Sequence, residues 1–380
     1  MYSVRQFGEM IRDAERFKAY EKAIARGVHA GDVVTEIGCG PGVFGLLACQ
    51  AGAKRVFAIE TEDIIHVARQ IAAANGFADR IQFFQSDSRK VELPERVDVI
   101  VSDIRGVLPL IDGVSASLQD AKKRFLRPDG VMIPRRDVLK AAIMEGENVY
   151  SILTSPWKTC VREIELSVPL QLVLNSGHCT NLKVEQLMSN AEEWGALDYM
   201  GDAGPNVSAK LGFRANRNGT AHGICVWFET ELYEDIGFSS GPESPSTVYG
   251  QWFLPWLEPV VIEEGQEILV RLHADLVGKD YIWRWETEMA AVDGGDKVHF
   301  RQSNFEGSLA SSRTLRRHAF DHIPVLTAEG EAERFLLGAM DGKASLEEIA
   351  KRAAERFPEV YASNENAFAR ASELSRKFSR

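Results

Sequence analysis

The sequence predicts a doubly wound, Rossmann-like α/β core followed by an antiparallel β domain and a small helical C-terminal module. Three observations carry this. A glycine-rich turn, Gly38-Cys39-Gly40-Pro41-Gly42, joins an apolar strand-like run (Val33, Val34, Ile37) to an apolar helical run from Val43 to Gln50. After Pro134 the pattern changes from strands alternating with helices to strands in succession, which calls for a separate layer. The last ~60 residues carry helix signals, including the capping box Ser345-Leu346-Glu347-Glu348.

Within the core, residues 5 to 26 place Phe7, Met10, Ile11, Ala14, Phe17 and Ile24 at helical spacing, as a lid over the pocket expected at the glycine turn. Arg16 lies on this helix. Its guanidinium suits bidentate binding of a ligand carboxylate, and a solvated surface arginine is the alternative. The second strand, Arg55 to Ile59, ends at Glu60, 22 positions after Gly38, where a doubly wound fold places an acid that binds a ribose. A helix follows from Glu62 to Ala74, then a third strand from Ile81 to Gln85. Asp87, in Ser86-Asp87-Ser88, is placed either to accept from an adenine amino group or to cap the turn. The fourth strand, Val97 to Val101, ends in Ser102-Asp103; a helix from Ser115 to Leu126 and the turn Arg127-Pro128-Asp129-Gly130 lead to a fifth strand ending at Pro134. Gly38, Glu60, Asp87 and Asp103 therefore all fall at carboxyl ends of strands, where open sheets bind ligands.

The turn reads G-x-G-x-G, not the G-x-G-x-x-G of a dinucleotide site, and Glu36 stands two residues before its first glycine. A carboxylate there repels a diphosphate and attracts an ammonium or sulfonium. S-adenosylmethionine combines a sulfonium with a ribose and is the expected cofactor, with no metal. The 380 residues imply two or three domains, and 45% hydrophobic with 26% charged residues is the composition of a folded chain. A net charge of −11 argues against general nucleic-acid binding; it favours a cationic partner or serves solubility alone. Five cysteines without a CxxC pair read as reduced thiols of a cytoplasmic protein. No signal peptide or membrane span is expected.

EMIRDAERFKAY, EIGCGPG, AGAKRVFAIE and VELPERVDVIVSDIRG resemble the protein arginine methyltransferases, notably their divergent bacterial members, and IGFSSGPESPSTVYGQWF resembles the segment bearing that family's Thr-His-Trp loop. The resemblance implies a class I methyltransferase core, an acceptor-binding β-barrel with a dimerisation arm near 150–205, and a possible homodimer. It implies that Arg16, Glu36 and the turn (Gly38, Cys39, Gly40, Gly42) bind the methionine end of S-adenosylmethionine, Glu60 the ribose, and Asp87 with Ser88 the adenine, leaving S-adenosylhomocysteine as product. The family holds its target guanidinium between two glutamates; here Asp103 and Asp112 match them as catalytic residues. In such a pair the carboxylates keep positive charge away from the attacking nitrogen. Both acids also read as ordinary turn residues.

The departures concern the acceptor. Each aspartate is one methylene shorter than the glutamate it replaces. Arg105 replaces a methionine between the acids and is placed to pair with either, and Val248-Tyr249 replaces His-Trp, so Arg105 and Tyr249 are expected at the substrate. The family's N-terminal aromatic pair has no evident counterpart.

Strands are expected at Val138–Met144, Lys210–Phe213, Gly223–Leu232, Val260–Ile262, Glu267–Leu276 and Tyr281–Glu288, and Trp252, Trp256, Trp283 and Trp285 are expected to pack the β domain. The domains expected are 1–134, 135–320 and 321–380. The tail resembles small winged-helix modules that bind leader peptides in pyrroloquinoline quinone-type peptide maturation; a generic three-helix accessory domain is the alternative. The expected activity is N-methylation of arginine in a protein or peptide, and the resemblance of the tail implies a ribosomal peptide docked there as acceptor. A small amine or guanidine acceptor, or an inactive scaffold, are the other readings.

Overall fold

The computed structural model describes residues 2–110, 113–159, 162–201, 204–278, 280–291, 296–309, 311–317 and 319–379. It divides into two compact units, Met1–Ser308 and Leu309–Arg380.

The first unit opens with α1 (Val4–Arg12) and α2 (Ala14–Gly27). The single lid helix expected over residues 5 to 26 is thus two. Asp13 is extended at the junction, and its side chain accepts from the Arg16 amide to start α2. A parallel sheet of five strands follows in the order β3-β2-β1-β4-β5. Its elements are β1 (Val33–Ile37), α3 (Val43–Ala51), β2 (Arg55–Glu60), α4 (Ile65–Ala74), β3 (Ile81–Gln85), β4 (Val97–Ser102), α5 (Val114–Phe125) and β5 (Leu126–Ile133). Every residue of β1 is buried, as a central strand covered on both faces requires. The expected turn at 127–130 lies inside β5 as an irregularity: Leu126 pairs with Val97 and Val131 with Val99, so the extra residues loop out of the ladder.

The chain then builds two antiparallel sheets. The elements are β6 (Arg136–Met144), α6 (Glu147–Lys158), α7 (Val168–Leu174), β7 (His178–Thr180), β8 (Glu192–Asp198), β9 (Val207–Arg214), β10 (Gly219–Tyr233), β11 (Ile236–Ser239), β12 (Gln251–Ile262), β13 (Glu267–Val277), β14 (Asp280–Met289) and β15 (Val298–Ser303). One sheet runs β7-β12-β10-β6-β8 with β11 on β10; the other runs β15-β14-β13-β9. Strict alternation along β13 puts Ile268, Val270, Leu272 and Ala274 inside. Trp256, Trp283 and Trp285 are buried and Trp252 is partly buried, so these indoles are packing residues.

The second unit contains α8 (Ser312–Arg317), α9 (Ala328–Ala339), α10 (Leu346–Arg356) and α11 (Asn364–Phe378). The last three close on their own core, with Ala332, Leu336, Ile349, Ala353, Ala371 and Leu374 at its centre. Both arms of the Ser345–Glu348 capping box are formed at the start of α10.

Candidate functional site

The carboxyl edge of the parallel sheet opens into a cleft of about 790 Å³. It is lined by Arg16, Glu36, Gly38, Cys39, Gly40, Glu60, Asp87, Ser88, Asp103, Arg105 and Tyr249, so all but two of the sequence-predicted site residues meet there. The two are Gly42 and Asp112. Gly42 sits behind the turn as the N-cap of α3, where a Cβ would lie 3.1 Å from that of Ala68. Asp112 lies outside the described residues.

The turn is shaped by backbone that only glycine adopts readily: φ is +69° at Gly38 and +50° at Gly40. A Cβ on Gly38 would fall 2.1 Å from Ile104 Cγ2, and one on Gly40 would fall 2.8 Å from the Phe7 ring. The turn is held from both sides by acids. Glu60 Oε2 accepts from the Gly40 amide at 2.9 Å, while its Oε1 accepts from the amides of Thr61 (2.7 Å) and Glu62 (3.0 Å). Glu36 points under α3, accepting from the Gly45 amide at 2.8 Å. Complete burial pushes Glu36 up to about 8, against the lowering effect of the Gly45 and Phe44 amides. At neutral pH Glu36 is therefore mostly uncharged, so the attraction for a cation expected from its position is largely lost. Cys39, within the turn, is buried, and burial raises its thiol.

Asp87 caps the short 3-10 turn Ser88–Lys90 and forks onto the Arg89 side chain at 3.0 and 2.7 Å. That hydrogen-bonded pair holds the carboxyl below the usual range. Ser88 is buried, its carbonyl accepting from Arg124 at 2.7 Å.

Asp103 lies at the centre of a network that crosses from the α/β core to the β domain. Arg16 Nε donates to its Oδ2 at 2.5 Å, and Arg16 Nη2 also pairs with that oxygen. Tyr249 donates to its Oδ1 at 2.6 Å, and Arg105 reaches the same oxygen from Nη2 at 3.1 Å and Nε at 3.3 Å. Burial works to raise Asp103, but the Arg16 and Arg105 guanidiniums and the Tyr249 hydroxyl hold it below the usual carboxylate range. It is an anion at every pH near neutrality. Tyr20, fully buried, donates to the Ser102 carbonyl at 2.9 Å and fixes the end of β4 from α2.

Residues that sequence reasoning missed come mostly from α1 and the segments beside it. Tyr2 and Gln6 line the cleft, with Tyr2 packed edge to face on the expected lid residue Phe7 at 5.8 Å between ring centroids. An aromatic pair is thus present near the N-terminus, although the spacing of Tyr2 and Phe7 gave no sign of it. The second missed group is Asp137, Tyr199 and Thr230, buried partners of Arg105 or of one another; each reads in sequence as an ordinary strand or loop residue. Elsewhere, Glu286, Glu288 and His299 lie within metal-ligand spacing, but Arg271 bridges the two glutamates at 2.9 and 2.6 Å and His299 bonds Glu286 at 2.8 Å.

A glycine nest, a strand-end acid and a buried anion lie on one sheet edge of a Rossmann-like core followed by an antiparallel β domain, the architecture of a methyltransferase. Residues 28–192 match the family model described as a methyltransferase domain, and residues 197–311 match that of the PRMT5 oligomerisation domain. Protein arginine N-methyltransferase 1 of Schizosaccharomyces pombe is 28% identical over 278 residues, which span 68% of this chain and 78% of that one. The arginine N(omega)-methyltransferase of Streptomyces achromogenes subsp. streptozoticus is 28% identical over 271 residues, 69% and 74% of the two chains. Among solved structures, the Trypanosoma brucei PRMT1 enzyme-prozyme heterotetrameric complex with AdoHcy aligns with a TM-score of 0.73 at 22% identity, over 78% of this chain and 97% of that one. Arabidopsis thaliana protein arginine methyltransferase 10 aligns at 0.69 and 19% identity, over 79% and 97%. The chain is thus similar to protein arginine methyltransferases along both its α/β core and its β domain.

Proposed function

We propose that the protein transfers a methyl group from S-adenosylmethionine to a guanidinium nitrogen of arginine in a protein or peptide. One observation carries the reading: a single cleft joins the glycine nest and Glu60 to the buried anion of Asp103. Its volume of about 790 Å³ is in the range of small-molecule and cofactor pockets. In this reading the turn 38–42 approaches the methionine end, with Arg16 at its carboxylate and Glu60 at the ribose hydroxyls. Asp87 and Ser88 lie at the adenine end, where Asp87 shares its carboxylate with Arg89. Glu36 shapes the nest from beneath.

When bound, the cofactor supplies an electrophilic methyl on a sulfonium. The chain's part is to bring the acceptor nitrogen into line and keep it nucleophilic. Asp103, ionised, holds the guanidinium charge on the nitrogen facing it, which leaves lone-pair character on the nitrogen turned to the methyl. Asp112 is proposed as the second acid of this pair.

A second reading, a small guanidine or amine acceptor, is favoured by the three donors already on Asp103 Oδ1. The Streptomyces relative's name points the same way. Calorimetry with S-adenosylmethionine tests donor binding. Labelled methyl incorporation into arginine peptides, free arginine and amines then separates the two readings, and donor binding without labelling of any acceptor would support a scaffold. We also propose homodimerisation through the arm near 150–205, on which Ile152, Ile164 and Val168 are exposed; light scattering at rising concentration tests it.

A further inference from the structure

The sequence places Arg105 at the substrate, yet its guanidinium has nothing left to offer one. A guanidinium carries five N–H donors, and all of Arg105's are engaged. Nη1 donates to Asp137 Oδ1 at 2.6 Å and to Thr230 Oγ1 at 2.7 Å. Nη2 donates to the Tyr20 hydroxyl at 2.5 Å and to Asp103 Oδ1 at 3.1 Å, and Nε reaches Asp103 Oδ1 at 3.3 Å. The side chain is 1% exposed, and its guanidinium carbon lies 5.1 Å from the Phe228 ring centroid and 5.6 Å from that of Phe238. The residue is the chain's own occupant of a box of acids and aromatic rings.

The consequence falls on Asp103. Its Oδ1 takes two bonds from Arg105 and one from Tyr249, all from buried groups, whereas Oδ2 takes the Nε and Nη2 donors of Arg16, which lines the cleft. We propose that Arg105 is a positioning residue: with Tyr249 it clamps Oδ1 of Asp103, so that the acceptor is engaged through Oδ2 once Arg16 turns from it to the cofactor carboxylate. This rests on Asp103 holding the acceptor as proposed above. The clamp is anchored across the two layers, since Asp137 belongs to β6 and Thr230 to β10, while Asp103 follows β4. A lysine could not replace it, because an ammonium has three donors and no fixed fork.

The charged and titratable groups facing Asp103 are Arg16 and Tyr20 from α2, Arg105 from its own loop and Tyr249 from the segment before β12. Asp137 faces Arg105 from β6, and Tyr199 donates to Asp137 Oδ2 at 2.6 Å. Loss of the Arg105 guanidinium leaves Asp103 with one cation, and its titration moves up.

The test uses the full chain labelled with [13Cγ]aspartate, the Asp103 signal being assigned by its loss in Asp103→Asn. Arg105→Met alone strands the buried Asp137 carboxylate, so the decisive variant is Arg105→Met with Asp137→Asn; Asp137→Asn alone and Arg105→Lys are controls. In the double variant the Asp103 midpoint should rise by about one pH unit or more, with Arg105→Lys in between and Asp137→Asn alone showing no rise. On an acetyl-Gly-Arg-Gly-amide peptide, kcat should fall about tenfold or more while S-adenosylhomocysteine affinity changes by less than about twofold. An unmoved midpoint, or a rise in peptide KM with kcat intact, would overturn the proposal, the latter by showing direct contact with the acceptor. If the wild type methylates no arginine, the acceptor reading fails while the titration still decides the clamp.

Discussion

Glu60 and Glu36 stand on neighbouring strands and do opposite things. Glu60 stays partly exposed at the cleft with both oxygens on loop amides, so in the proposed reading it can exchange an amide for a ribose hydroxyl. Glu60→Ala should weaken S-adenosylmethionine binding by about 1.5–3 kcal/mol, read by calorimetry. Glu36 is an interior group whose carboxyl is raised from 4.5 to about 8. The folded state therefore holds its proton more tightly than the unfolded chain. The stabilisation is complete below pH ~4.5 and is lost as pH climbs through about 8. Melting curves should show Glu36→Gln gaining on the wild type between those limits, with a ceiling of about 5 kcal/mol, and no further change above. A constant difference across that window would contradict the assignment. Both acids were legible in the sequence as residues near the turn. Their different roles were not: the register pairs Glu36 with Ala58, so both acids share one face of the sheet, and it is the packing of α3 over Glu36 and the end of β2 at Glu60 that separates them.

At the scale of elements, the glycine turn and the break at Asp13 are the features that build the cleft. Gly38 combines a left-handed φ with a Cβ position already filled by Ile104. Gly38→Ala should lower stability by about 1–3 kcal/mol in denaturant titrations and weaken donor binding as well. Asp13 ends α1 and starts α2 and also accepts from the Val248 amide at 2.8 Å, which ties the lid to the segment carrying Tyr249. Little in the local pattern marks that break, since the apolar spacing runs across residue 13 uninterrupted and the decisive contact comes from a residue 235 positions away. Where signals are local they were readable: the capping box at Ser345 is formed as expected. Ser345→Ala should cost about 1 kcal/mol, measured by urea denaturation followed in α10 by hydrogen exchange.

Over the whole molecule, the order of layers was legible because the hydrophobic period changes at Pro134, and the parallel sheet and strands β6, β9, β10, β13 and β14 lie where apolar runs placed them. The strands that escaped notice have weak or interrupted patterns. The pattern of β12 was legible only at its end, β7 has three residues, and β11 has four. They exist because longer neighbours supply their partners. Each compact unit carries its own apolar cluster, so a chain ending at Ser308 should remain folded and bind S-adenosylhomocysteine with unchanged affinity in calorimetry. The account as a whole rests on Asp103 serving the acceptor and not the donor. The most direct test compares the wild type with Asp103→Asn, using labelled S-adenosylmethionine with an arginine peptide and mass spectrometry to locate the methyl. The expected outcome is a methyl on the guanidinium with the wild type, none with Asp103→Asn, and equal cofactor affinity for both; transfer by Asp103→Asn at the wild-type rate would rule out this role for Asp103.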